Sequence, residues 1–141
     1  MTANAERGAL TGIRVLDFGR YIAGPYCAAL MADMGAEVIR VEKRDGSEDR
    51  TLIPLHWQDG APAEGAMFLQ MNRNKKGITL DPMHADARPV VEKLIRTADV
   101  VVANLPHSTL VAMGLDWATI HRVNPRTILT TVSAFGKGGP Y

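Results

Sequence analysis

The stretch "GIRVLDFGRYIAGPYCAALMADMGAEVIRVEK", Gly12 to Lys43, decides the fold. Ile13 to Phe18 is an apolar run closed by Gly19 and reads as a buried strand. Tyr26, Leu30, Met31 and Met34 then recur at helical spacing, with Pro25 suited to a first turn and Gly35 to a C-terminal stop. A second strand follows from Glu37 to Glu42. Two strands joined by a helix of this length are expected to lie parallel, with a right-handed crossover.

The same alternation continues downstream. "GITLD", Gly77 to Asp81, reads as a short strand. Pro82 opens a helix carrying Val90, Val91, Leu94 and Ile95, and Pro89 should end its first turn or kink it. "ADVVVANL", Ala98 to Leu105, is the continuous apolar strand expected in a parallel sheet covered on both faces. Helical pieces at Ser108–Met113 and Asp116–Val123, the second with Asp116 as N-cap, lead to a last strand within "RTILTTVSAF", Arg126 to Phe135. The segment from Arg44 to Met67 is different. It is polar, broken by Gly46, Pro54, Gly60, Pro62 and Gly65, and without period, so it is expected to be a long irregular loop, functional or mobile. The fold class that follows is α/β, a Rossmann-like open and mainly parallel sheet with helices on both faces. Residues 1–9 read as a flexible N-terminus and residues 10–141 as one domain without repeats or an internal boundary.

Composition narrows the function classes. Sixteen Lys and Arg against fifteen Asp and Glu give a net charge of +1, too weak a field for a nucleic-acid or membrane-surface binder. The apolar runs are too short to span a bilayer, and "MTANAERGAL" lacks the apolar core of a signal peptide. A single cysteine excludes an internal disulfide framework and suits a reducing compartment, so a cytoplasmic location is expected.

In open α/β sheets, ligands bind outside the carboxyl ends of the strands. The sequence offers "GRYIAGP", "EKRDG", "NLPHS" and "FGKGGP" there, while "NRNKKG" precedes a strand. "GRYIAGP" spaces its glycines as a Walker A loop does, but Pro25 stands where the lysine must be, which excludes a P-loop NTPase. Nor does the loop match G-x-G-x-x-G, and its glycines read first as a strand–helix turn. "NRNKK", Asn72 to Lys76, gathers three cations and two amides and reads equally as a site for phosphate or pyrophosphate or as a solvated turn. Lys43 and Arg44 add charge after the second strand. Cys27 reads as a core thiol. The four histidines lack metal-ligand spacing, so no metal is expected. Ser133 lacks a nucleophile elbow, and Asp17 reads as a structural carboxylate.

Together, "GIRVLDFGRYIAGPYCAALMADMGAEVIRVEK", "NRNKKGITLD", "ADVVVANL" and "MGLDWATIHRVNPRTILTTVSAFGKGGPY" resemble the N-terminal part of the class III coenzyme A transferases, with the formyl-CoA and carnitine-CoA transferases and the α-methylacyl-CoA racemases. The resemblance covers Leu10 to Tyr141. It implies a domain that binds the nucleotide end of coenzyme A (CoA) or an acyl-CoA. The implied contacts are Ile22 and Ala23 after strand one, Lys43 after strand two, Asn72, Arg73, Asn74 and Lys75, and Asn104, Leu105 and Pro106 after the apolar strand. Ile22 stands where formyl-CoA transferases carry glutamine, which argues against formyl or oxalyl specificity, and Ala112 replaces a basic residue of some members. The resemblance places the transferase nucleophile, an aspartate, shortly after "GGPY". It attacks the thioester to form a mixed anhydride, and then an aspartyl- or glutamyl-CoA thioester. Racemase relatives use a histidine and an aspartate from the same downstream region. The chain is therefore expected to be an N-terminal fragment of a larger interlocked-dimer fold. It should be inactive alone, with an acyl-CoA and a carboxylate acceptor as the whole enzyme's partners. The alternatives are an α-methylacyl-CoA racemase-type relative and a stand-alone CoA-binding module or split subunit. Strands that are central in a complete sheet would leave an exposed edge here, with self-association as the consequence.

Overall fold

In a computed structural model, which describes residues 8–52 and 54–136, the apolar runs pair into one five-stranded parallel sheet. Its strands are β1 (Arg14–Asp17), β2 (Glu37–Glu42), β5 (Lys76–Thr79), β6 (Val100–Ala103) and β7 (Ile128–Thr131), in the order β5-β2-β1-β6-β7. Asp17, the last residue of β1, lies in register with Arg40 of β2 and Val102 of β6, and Arg40 lies in register with Gly77 of β5. The order reverses direction at β1, so a crevice opens beyond the carboxyl ends of β1 and β6.

Two cores sandwich the sheet. On one face Val15, Val38, Val100 and Val102 meet Ala28 and Ala32 of helix α1 (Ala23–Asp33). On the other, Leu16, Phe18, Val41 and Val101 meet Val91 and Ile95 of α3 (Arg88–Arg96), Leu110 and Met113 of α4 (His107–Met113) and Ile120 of α5 (Trp117–Val123). All four residues of β6 are buried, as a strand covered on both faces requires. Asp116 caps α5 by accepting the Thr119 N–H at 3.1 Å.

The helical spacing in α1 holds, but its apolar stripe is not the buried face. Gly24, Pro25, Ala28, Ala29 and Ala32 pack inward, because the helix lies too close to the sheet for longer side chains. Tyr26, Leu30 and Met34 are left outward, each more than 40% exposed, and of the four stripe residues Met31 alone packs against the core. Cys27 is half-buried against the same core.

The segment Arg44–Met67, expected to be irregular, is ordered over its described residues. It contains a 3₁₀ turn at Glu48–Thr51 and an antiparallel hairpin of β3 (Leu55–Gln58) and β4 (Ala61–Gly65), followed by helix α2 (Ala66–Met71). The hairpin turns on Asp59 and Gly60, both at positive φ, the conformation that an Asp-Gly pair favours. The prolines and glycines around that pair hide the signal. Pro82 does not open a helix: a 3₁₀ turn at Ala85–Ala87 precedes α3, and Pro89 sits in the first turn of α3, where no N–H is needed. The last strand is shorter than its apolar run and forms the sheet edge, with Ile128 62% exposed. Most of the expected flexible N-terminus (residues 1–7) and the end of the chain (137–141) lie outside the described residues.

A buried ionic network holds Lys43–Thr51 to the sheet. The Arg40 guanidinium donates to Asp49 at 2.9 and 3.1 Å, to Glu42 at 3.1 Å and to Ser47 at 2.7 Å. Arg50 donates to Glu42 at 2.6 Å and stacks over the Phe68 ring at 4.1 Å. Burial pushes the Glu42 carboxyl up, but the bonds from Arg50 and Ser47 and the charge of Arg40 outweigh it and bring it down to about 2. A carboxylate depressed on folding contributes stability that is whole above its ordinary 4.5 and is lost as pH falls toward about 2. Thermal melts should therefore show the midpoint falling across that window, and Glu42→Gln should lower the midpoint at neutral pH and flatten the acid limb. A midpoint unchanged from pH 4.5 to 2 would contradict the assignment.

Candidate functional site

The turn after β1 is built on close contacts. Asp17 is fully buried, and its Oδ1 accepts the Gly19 N–H at 2.8 Å. A Cβ on Gly19 would stand 2.7 Å from Pro25 Cδ, and one on Gly24 would stand 2.9 Å from Asn104 Oδ1, so both positions need glycine. Asn104, just past β6, clamps the turn: its Oδ1 accepts the Arg20 N–H at 2.7 Å and its Nδ2 donates to the Arg20 carbonyl at 2.8 Å. This amide bridges the two strand ends flanking the crevice. Tyr21 takes φ 61°, a value a tyrosine holds only under such constraint. Ile22 is the N-cap of α1, which no side chain caps.

A cleft of about 390 Å³ opens there. Arg20 and Tyr21 after β1, Lys43 after β2, Asp81, Pro82 and Met83 after β5, and Asn104, Leu105 and Pro106 after β6 line it, with Glu48 and Met113 at its sides. Its charges balance. Lys43 Nζ donates to Glu48 Oε1 at 2.6 Å, which raises the lysine pKa and lowers that of the glutamate. The Arg20 guanidinium donates to the Gly19 carbonyl at 2.8 Å, with its Nε 3.9 Å from Glu48. Asp81 Oδ1 accepts the Met83 N–H at 3.0 Å. Tyr21, Met83, Leu105, Pro106 and Met113 supply apolar walls, so the cleft suits an apolar-faced ligand whose polar groups meet the paired charges at its side. A second cleft of about 650 Å³ shares Leu105 and Pro106 and runs past Leu110, Trp117 and Leu129 to the carboxyl end of β7.

Of the residues that the resemblance singles out, Lys43, Asn104, Leu105 and Pro106 line the first cleft, and Ile22 and Ala23 begin α1 beside it. The loop Asn72–Lys75 does not line it. Lys75 Nζ is held by Asp17 Oδ2 at 2.7 Å, the Pro25 carbonyl at 2.7 Å and Asn72 Oδ1 at 2.9 Å. Asn72 Nδ2 donates to the Phe68 carbonyl and Asn74 Nδ2 to the Ala32 carbonyl, while Arg73 pairs with Asp33. Arg20, Tyr21, Glu48, Asp81, Pro82, Met83 and Met113 also line the cleft and are not among the residues the resemblance singles out, although Arg20 and Tyr21 lie in the strand-end loop "GRYIAGP". The strand-end rule, applied to the end of β5 instead of its start, points to Asp81–Met83. Among the described residues no group of three or more His, Cys, Asp or Glu is placed to hold a metal ion, and no helix is long and apolar enough to cross a membrane.

Residues 10–141 match the family model for CoA-transferase family III. The chain is 44% identical to a formyl-CoA:oxalate CoA-transferase of Rhodopseudomonas palustris over 133 residues, which are 94% of this chain and 30% of that protein. It is 38% identical to a succinate–glutarate CoA-transferase of Agrobacterium fabrum over 135 residues, 94% of this chain and 34% of that one. Its fold superposes on a CAIB/BAIF family protein from Brucella suis with a TM-score of 0.87 at 34% identity, covering 96% of this chain and 36% of that structure. The chain thus spans about a third of the length of the relatives it matches. On the family match over nearly its whole length, this chain belongs to CoA-transferase family III.

Proposed function

We propose that this chain is the coenzyme-holding part of a class III CoA transferase, which moves CoA between an acyl-CoA and a carboxylic acid. The observation that carries the reading is the cleft at the sheet's reversal point. It sets Arg20 and Lys43, with the carboxylates Glu48 and Asp81, among apolar walls, in a family whose relatives are named as CoA transferases. The adenine lies against Tyr21, Met83 and Pro106, and the phosphates meet Arg20, Lys43 and the uncapped start of α1 at Ile22 and Ala23. The second cleft begins at Leu105 and Pro106, so a long arm anchored in the first can continue toward the end of β7.

The nucleophile belongs elsewhere in the whole enzyme. Neither cleft carboxylate is set up to attack a thioester: Glu48 is held by Lys43, and Asp81 accepts a backbone N–H. An aspartate outside the cleft, as in the resemblance, attacks the acyl carbon and releases the CoA thiolate. Residues 1–141 thus bind without turnover. The relatives named for succinate and glutarate and for formyl-CoA and oxalate share this part, which fits a coenzyme-holding role, with Ile22 the residue here that bears on acyl choice. The single cysteine supports a reducing, cytoplasmic setting.

A homodimer completes the reading. Ile22, Tyr26, Leu30 and Met34 form an outward apolar stripe along α1, and Leu69 of α2 is exposed as well. Such a stripe fits an interface with a second copy of the enzyme. Light scattering on the purified protein should give a dimer mass, and Leu30→Glu should give a monomer that still melts cooperatively. A wild-type monomer at micromolar concentration would count against the assembly.

Calorimetry tests the binding claim. Wild-type protein should bind CoA, Lys43→Met should weaken binding by roughly tenfold, and Glu48→Gln, by releasing Lys43, should tighten it by about threefold. The absence of heat at millimolar CoA, or equal affinities in all three proteins, would remove the cleft from the coenzyme site.

A further inference from the structure

The loop before β5 grips α1 at both ends. Near the end of the helix, Asn74 Nδ2 donates to the Ala32 carbonyl at 3.0 Å, and Arg73 pairs with Asp33. At the start, Lys75 Nζ reaches the Pro25 carbonyl in the first turn, the Asp17 carboxylate at the end of β1 and Asn72 at the end of α2. The Lys75 side chain is 2% exposed and that of Asp17 is 0%. An ammonium has three protons, and all three are committed to these acceptors. Lys75 therefore has no donor left for a phosphate. Burial also pulls its pKa down against the opposing charge of Asp17, as expected of a cation enclosed by the fold.

What Lys75 joins lies under the cleft. Asp17 receives Lys75 on one oxygen and the Gly19 N–H on the other. The next residue, Arg20, is clamped through its backbone to Asn104 and lines the cleft, as does Tyr21 at φ 61°. Arg40 adds a second cation 3.6 Å from the same carboxylate and donates to the Gly19 carbonyl at 3.4 Å.

We propose that Lys75 is a positioning residue. Its buried ammonium staples the end of β1 to the first turn of α1 and so fixes the Gly19–Ala23 backbone, which carries Arg20 and Tyr21 into the cleft wall, without touching the ligand. The ligand half of this proposal rests on the reading of the cleft as a CoA site, and the backbone half does not.

Two variants separate the staple from simple loss of stability. Lys75→Met removes the ammonium but leaves Asp17 short of a partner. The double variant Asp17→Asn with Lys75→Met removes both charges and keeps an oxygen for the Gly19 N–H, so it guards against a single variant that fails to fold. Affinities for CoA and 3′-dephospho-CoA, and hydrogen exchange at the Gly19–Ala23 amides, are measured for each. The expected result is a loss of roughly tenfold that is equal for both ligands, with faster exchange at Gly19–Ala23 and unchanged exchange in β6 and α3. A loss for CoA that vanishes with 3′-dephospho-CoA would make Lys75 a direct phosphate ligand and overturn the proposal. A lower melting temperature with unchanged affinity and exchange would overturn it too. Failure of the wild type to bind either ligand would sink the CoA reading alone, because exchange at Gly19–Ala23 still decides whether Lys75 holds the turn.

Discussion

The Asp17 carboxylate, buried at the end of β1, is the constraint around which this chain is arranged. A fully enclosed anion persists only if paired, and it takes one bond from Lys75 at 2.7 Å, stands 3.6 Å from Arg40 and accepts the Gly19 N–H at 2.8 Å. Removing one member of such a group typically costs about 3–5 kcal/mol, because the other charge stays buried without its partner. The three partners come from β2, from the loop before β5 and from the turn that follows Asp17 itself. A single side chain thereby fixes where two strands, a helix and a turn meet. Arg40 extends the arrangement through Asp49, Glu42 and Ser47, which is how a polar segment after β2 comes to lie against the sheet.

From that junction the cleft follows by geometry. β2 and β5 lie on one side of β1, and β6 and β7 on the other, with α1 covering one face and α3, α4 and α5 the second. The chain turns outward in opposite directions after β1 and after β6, and the space between is bridged by the Asn104 amide. Close approach there requires Gly19 and Gly24, and the tight seat of α1 requires alanine at positions 28, 29 and 32. Tyr26, Leu30 and Met34 are consequently turned outward.

The sheet, its parallel order and the helices around it were legible because their signals are local. Apolar runs such as Val100–Ala103 and the N-cap Asp116 state their roles within a few residues. The hairpin at Leu55–Gly65 was not legible, since its Asp59–Gly60 turn sits among prolines and glycines that read as breakers. The buried face of α1 was hidden for a different reason. Periodicity shows that a helix is amphipathic, whereas the distance from helix to sheet decides whether large or small residues go inside. The candidate site was half legible. Lys43, Asn104, Leu105 and Pro106 follow from the strand-end rule, while Asp81–Met83 follow from the same rule at a strand whose start, not its end, drew attention. No local pattern shows that Lys75 pairs with a carboxylate 58 residues away.

The most direct test of the account is a hydrogen-exchange footprint of the protein with and without CoA. Protection confined to residues 19–23, 43–48, 81–83 and 104–106, with the amides of 72–75 unchanged, is the result the account predicts. Protection centred on 72–75, with the strand ends unaffected, would contradict it and move the coenzyme to the opposite end of β5.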